Sequence, residues 1–445
     1  MDLKDLIVTP FLILVVYFFA YAIRNMVSDN WTRRYFIPAL SLKIVGAILL
    51  GVIYQFYYSG GDTFGYFTYG SKFIWDAILD SPINGLKLIF SYNGEHQPET
   101  FIYSSKINNF HSSSAYFVTR VSAWFALLTF HTYSATAVLF AVFSFSGLWA
   151  MFRTFYNFYP RLHLHFAVAI FFIPSLFFWG SGILKDTLSI GAMGWMVYAF
   201  YLMFYRGKYL KGGIIFIVST YLLYSVKVYI LLSLLPCMIV WLYMLFNKRI
   251  RPIALRLISL PTTLILFGWL GYWLVLEVGE SNEKYNINNL ANTAQITAYD
   301  IGFWTGRDAG SGYALGELDG TFSSMLKLAP QAINVSLFRP YLWEVKNPLM
   351  LLAALESLLM LLITFWVLVK AGLWVLLKQL VSNPVVAFCF VFSIVLAFAV
   401  GVSTFNFGTL VRYKIPLIPF YLIGLAIVWY YAKRDKKLSE LASLE

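Results

Sequence analysis

The sequence predicts an all-α protein that crosses a membrane many times. Three observations carry that expectation. Hydrophobic residues fill 60% of the 445 positions and charged residues only 12%, about half the charge share of a water-soluble domain. Mean hydropathy is +0.71, and apolar runs long enough to traverse hydrocarbon recur along the chain. Lys and Arg gather in the short connections between those runs, the pattern of cytoplasmic loops. The formal net charge of +12 therefore reads as topology rather than as a nucleic-acid surface.

In chain order the predicted spans are 5–23, 38–57, 134–152, 164–180, 187–205, 212–226, 228–246, 257–276, 349–369, 384–402 and 412–431. The strongest basic connections are Arg24–Arg34, Arg153–Arg161, Arg206–Lys211, Lys248–Arg256, Lys370–Lys378 and the tail segment Lys433–Lys437. Placing all of them inside requires about eleven crossings (within roughly ten to thirteen), with the N-terminus outside and the tail cytoplasmic. Residues 115–131 are hydrophobic enough to span, but a crossing there would flip either the first basic loop or all later ones. They read instead as a helix along the outer leaflet, with Arg120 snorkelling.

This parity gives the organisation. An N-terminal membrane module, 1–276, carries a first extracytoplasmic loop at 58–133. A large extracytoplasmic loop follows at 277–348, then C-terminal membrane helices at 349–431 and a cytoplasmic tail at 432–445. Ser71–Phe90 has the spacing of an interfacial helix (Phe73, Ile74, Ala77, Ile78). The run Ile7–Ile23 ends in Arg24 without a small-residue cleavage site, so it reads as a span and not a signal peptide. The expected location is a bacterial inner membrane. Cys237 and Cys389 lie in apolar runs and read as packed thiols. There is no Walker A loop, dinucleotide fingerprint or HExxH motif, so ATP-driven transport and zinc proteolysis have no support. No inverted repeat of the transporter kind is visible.

The most informative stretch is Gly60–Tyr69 (GDTFGYFTY after Gly60), where the second span leaves the membrane on the outer face. Gly60 and Gly61 permit a sharp turn. Asp62 then places a carboxylate below an aromatic cluster that includes Tyr66 and Tyr69, a position suited to general-base work on a sugar hydroxyl. The alternative is that Asp62 is an ordinary N-cap. A second outer turn, Trp179–Asp186, sets Lys185 and Asp186 at the start of a helix. It reads either as a second carboxylate on the same chamber or as helix-start chemistry with a snorkelling lysine. A third feature is a set of outer cations: Lys227 in an apolar hairpin, Arg339 in Phe338–Glu344, and Arg412 and Lys414 in Asn406–Pro416. Arg offers a fork and Lys a point charge to phosphate oxygens. The alternative is ordinary lipid contact, or pairing with Glu344 and other loop acids. Among the histidines, His163 and His165 read as interfacial. Glu95, His96 and His111 match no metal motif and read as solvated.

An early outer aspartate, helices in a long first outer loop, a second outer acid, an outer lysine between paired helices and a large later loop resemble the GT-C class of membrane glycosyltransferases. Gly61–Gly70 is similar to that class's first acidic motif, and Ile173-Pro174 with Lys185-Asp186 to its second. The run NFGTLVRYKIP at 406–416 also resembles bacterial cell-surface polysaccharide enzymes, including repeat-unit polymerases. The chain departs in carrying Thr63 after the first acid, where many members have a second carboxylate, and in placing the motif after the second span. The resemblance implies a GT-C-like fold and transfer from a polyprenyl-phosphate- or pyrophosphate-linked sugar to a glycan or lipid-linked acceptor. It implies Asp62 as base, Asp186 as acceptor-orienting acid, and Lys227, Arg339, Arg412 and Lys414 as ligands of the leaving phosphate. A divalent cation is compatible with it but not required by the sequence. A flippase that moves the same lipid-linked sugar without chemistry is the rival reading, and an assembly subunit a third.

Overall fold

The computed structural model describes residues 3–91, 94–247, 292, 294–299 and 311–442. The expected span 257–276, the connection Lys248–Arg256 and most of 277–310 lie outside the described residues. Among the described residues the chain is helical, and its one isolated bridge joins Gly312 and Asn406. Helices Asp5–Val27, Arg33–Phe56, Tyr133–Phe158, Lys185–Phe204, Tyr209–Asn247, Pro348–Ser382 and Pro384–Thr404 are long and apolar enough to cross a membrane. The pair Phe407–Tyr413 and Ile418–Asp435, bent by 63°, makes an eighth if it forms one broken span. The chain is thus a multi-pass α-helical membrane protein. It divides into two compact units, Met1–Val228 and Tyr229–Glu445.

The first unit begins with α1 (Asp5–Val27) and α2 (Arg33–Phe56). Short helices α3 (Asp62–Tyr66), α4 (Lys72–Asp80), α5 (Pro82–Phe90) and α6 (Phe101–Ser104) follow, then α7 (Ser113–Thr129). Next come α8 (Tyr133–Phe158), α9 (His163–Phe171), α10 (Pro174–Trp179), α11 (Lys185–Phe204) and α12 (Tyr209–Asn247), of which only the part up to Val228 belongs to this unit. Helices α8 and α11 are the most deeply buried. Lipid tails supply no hydrophobic drive between helices, so close backbone approach through small residues must hold them. Gly147 does this: a Cβ there would overlap the Gly191 carbonyl. Helix α1, by contrast, buries only Thr9 and Ala20 and leaves the rest of its apolar length half-buried or exposed, as a lipid-facing helix should.

The two ends of this unit are chemically different. At one end Asp29 accepts from the Trp31 and Thr32 amides and from Arg153 at 2.7 Å. There His163 also meets Tyr35 and Arg34. The basic connections 24–34 and 153–161 therefore share one end. At the other, the Asp5 carboxylate accepts from the Ser134 amide at 2.7 Å, an anion at the N-terminus of α8.

The second unit packs Ala329–Phe338 against Pro384–Thr404, with Ser336 donating to the Ala397 carbonyl at 2.7 Å. Asn383 and Asn406 cap the helices that follow them. Trp241 is fully buried against Phe388.

Several predicted elements take a different form. Residues 164–180 are two short helices, because Pro174 cannot continue α9 and instead opens α10, leaving Ile173 extended. Ser71–Phe90 splits at Ser81 for the same reason, with Pro82 opening α5. The pair 212–226 and 228–246, by contrast, is as expected two helices, meeting at a kink where Lys227 leaves helical geometry (φ −145°, ψ 77°). Lys370–Lys378 is not a loop but is helical on both sides of a kink at Gly372, which has φ 75°. The last long helix starts at Ile418 rather than 412, after a break containing Pro416. Arg120 donates to the Ser91 carbonyl at 2.8 Å and lies over the Tyr116 and Phe117 rings.

Candidate functional site

The turn after α2 is built from backbone that ordinary residues avoid. Ser59, Gly60 and Gly61 have φ of 54°, 147° and 115°. At Gly61 a Cβ would sit 2.7 Å from the Tyr54 ring, so only glycine fits. Gly61 is the N-cap of α3 and Asp62 its first residue, without a side-chain cap bond, so the N-cap role considered for Asp62 belongs to its neighbour. The Asp62 side chain is exposed. Helix α3 is pinned beneath it: Thr63 bonds the Tyr133 hydroxyl at 2.7 Å, Phe64 stacks on Tyr133, and Tyr66 and Phe67 are buried. Tyr66 is therefore a core residue, whereas Tyr69 is exposed.

The second turn, Trp179–Asp186, folds on its own carbonyls. The Leu184 amide and the Thr187 hydroxyl both donate to Gly182. Asp186 falls in the first turn of α11, where the helix dipole favours a carboxylate. It is buried and paired with Lys227 at 2.5 Å, with side-chain exposures of 0% and 6%. Lys185 donates to the Ser114 hydroxyl at 2.7 Å. One apolar cluster contains Tyr66, Ile183, Leu184 and Val226. The segments bearing Asp62, Asp186 and Lys227 thus rest on a common core.

A lysine not singled out from the sequence also matters here. Lys43, in the middle of α2, is fully buried and donates to the carbonyls of Leu176 (3.1 Å) and Gly180 (2.7 Å). These are carbonyls at the end of α10, the negative pole of that short helix. The cation holds α10 against α2 and fixes the approach to the Trp179–Asp186 turn. A lone lysine within an apolar run was the available signal.

Beside the Gly60–Gly61 turn lies an open cavity of about 680 Å³. Gly60 and Phe64, on either side of Asp62, both line it. Its other walls come from the start of α1, from α4 and from the 131–133 segment.

The second unit holds its cations in a separate arrangement. Arg339 forms a forked pair with Glu344, and its guanidinium lies near the rings of Tyr313, Tyr341 and Phe407. Burial alone would raise the Glu344 carboxyl, but the bonds from Arg339 and the Tyr341 amide lower it below the usual range. The buried Lys414 ammonium donates to the Arg339 carbonyl (3.1 Å) and the Ser357 hydroxyl (2.9 Å). Arg412 is half-buried. Burial pushes the Tyr313 hydroxyl up to about 12; it bonds Thr404 at 2.6 Å.

His96 stacks on Phe110, meets His111 edge-on and bonds Ser104 at 2.7 Å. Among the described residues no three acidic, histidine or cysteine side chains gather as a metal site. Cys237 and Cys389 are buried free thiols. No known protein family, characterised relative or solved structure matches the chain.

Proposed function

We propose that the protein is a GT-C-like glycosyltransferase of the bacterial cytoplasmic membrane, with about eleven crossings, an outer N-terminus and a cytoplasmic tail. The observation that carries the reading is an exposed carboxylate, Asp62, held at the end of a span on the same core as the buried Asp186–Lys227 pair. Ionisable groups within membrane helices are costly and are kept for function. Non-helical backbone at such depth, as at Lys227, is tolerated where it is buried in protein or lines a cavity. The shared end of the basic connections 24–34 and 153–161 supports the orientation, because it puts Asp62 at the opposite, outer end.

The donor is a polyprenyl-phosphate- or pyrophosphate-linked sugar. Asp62 takes the proton of an acceptor hydroxyl, the freed oxygen bonds to the sugar's anomeric carbon, and the bond from that carbon to the phosphate oxygen breaks. The lipid phosphate departs as an anion. Neutralising such developing charge is commonly the largest catalytic contribution. Lys227, on the same core as Asp62, is the proposed cation for it; Arg339 and Arg412 are proposed separately as phosphate ligands of the second unit. Asp186, buried under Lys227, acts by holding that lysine, and Lys414 by holding the Arg339 backbone. Whether one sugar or a whole repeat unit moves is left to the same chemistry.

The test uses purified protein in liposomes with lipid-linked sugars extracted from the source membranes. Transferase activity releases free polyprenyl phosphate or pyrophosphate and lengthens an acceptor. If the sugar only changes leaflet, with its lipid link intact, the protein is a carrier. Orientation has its own readout: a cysteine at the exposed Ser105 should label from outside intact cells, and protection there inverts the topology.

A further inference from the structure

The cavity beside Gly60 is assigned no role by the chemistry above, since its lining does not include Asp62, Asp186 or Lys227. Four chain segments build it: the start of α1, residues 55–64 from the end of α2 through the turn into α3, the π-turn and helix at 67–76, and residues 131–133. The floor is an aromatic stack. Phe67 lies on the His131 ring at 4.2 Å and 18°, and Trp75 lies on the same side chain at 6.1 Å and 25°. Ser71, itself bonded by Ser122, faces His131 Nε2 at 3.5 Å. His131 holds this position only by adopting φ 54°, and Phe130 before it has φ 51°. The opposite rim is the Ser59–Gly61 turn, also in positive φ. Strain of this kind persists where surrounding structure enforces it, and it clusters at ligand sites.

The charges on the rim balance. Lys4 and Lys72 face the cavity together with Asp5 and Asp76. A site for a phosphate or another anion would carry an excess of cations. Here each lysine is matched by a carboxylate, and besides the His131 imidazole the remaining polar side chains (Gln55, Ser59, Thr68, Tyr69, Thr132, Tyr133) are neutral donors and acceptors. Flat aromatic faces ringed by mixed donors and acceptors suit a ligand with apolar C–H faces and many hydroxyls. The volume, about 680 Å³, falls within the usual range for small-ligand sites.

We infer that this cavity is a binding site for an uncharged oligosaccharide, which stacks on Trp75 and is hydrogen-bonded by Asp76 and Lys72. The inference stands on the cavity alone. It holds for a transferase, where it would seat the acceptor, and equally for a carrier.

Binding is therefore read without turnover. Detergent-purified full-length protein is titrated with a panel of neutral oligosaccharides of glucose, galactose, mannose, rhamnose and N-acetylhexosamines, and with inorganic pyrophosphate as the anionic probe. Saturable binding of at least one neutral oligosaccharide is expected. Trp75→Ala should weaken it about tenfold or more, the scale of losing one aromatic face with its buried area. Asp76→Asn should weaken it as well, while Trp75→Phe, which keeps a ring against His131, should retain part of it. The inference is overturned if no neutral oligosaccharide binds. It also fails if binding survives both Trp75→Ala and Asp76→Asn, or if pyrophosphate binds in their place and is lost on Lys72→Met.

Discussion

The first unit has two ends, each with an acid–base pair, and they differ in exposure. Asp29 and Arg153 keep side-chain exposures of 39% and 25%, and capping bonds from Thr32 and Trp31 share the carboxylate. Asp186 and Lys227 have exposures of 0% and 6%. The first pair is an ordinary fastening at a helix turn, where water still screens the charges. The second has lost its hydration, a penalty that the attraction between the two ions seldom exceeds. Burying such a pair brings a fold little net stability, which sets the end carrying Asp62, Asp186 and the cavity apart from the other.

The largest way to break this contrast is to leave one buried charge alone. Lys227→Met should destabilise the purified protein by about 3–5 kcal/mol, because Asp186 remains buried without its partner. Adding Asp186→Asn should restore most of the thermal midpoint. If the single variant unfolds like the parent, the pair is not buried as described. Next comes the strained turn at the same end. Gly61→Ala must place a Cβ against Tyr54 at positive φ and should cost about 1–3 kcal/mol. Thermal unfolding reads it directly.

At the basic end the effects should be smaller. Arg153→Met should cost about 1 kcal/mol, the scale of a partly exposed pair. The pH dependence follows from Asp29. Its burial would raise the carboxyl, but the Arg153 bond and those from Thr32 lower it from 3.8 to about 2. The folded value lies below the unfolded one, so this stabilisation is present above about pH 4 and is lost as pH falls toward 2. The midpoint advantage of the parent over Asp29→Asn should shrink across that window. A constant difference would show that Asp29 acts through packing alone.

The contrast between the two ends was only partly visible in the sequence. Apolar runs located most long helices, because hydrocarbon thickness sets their length. The apolar pattern read 164–180 and 71–90 as continuous, and it missed the breaks that Pro174 and Pro82 make there. Asp62, Asp186 and Lys227 stood out as charges at the ends of apolar runs. What stayed hidden were partnerships across long sequence separations. Lys43 finds carbonyls at 176 and 180, and Asp5 finds the Ser134 amide. The cavity needs segments near residues 5, 72 and 131 at once. Hydropathy is local, and none of these pairings leaves a local pattern. The parity that placed 115–131 outside the set of spans used global charge instead.

The central claim is that Asp62 is a general base. It is tested most directly by comparing the parent and Asp62→Asn in liposomes supplied with lipid-linked sugars from the source membranes, following elongated acceptor over time. Because Asp62 is exposed, the thermal midpoint should scarcely move. Transfer should fall by about 100-fold or more, the contribution of a positioned base. Full transfer by Asp62→Asn would contradict the account.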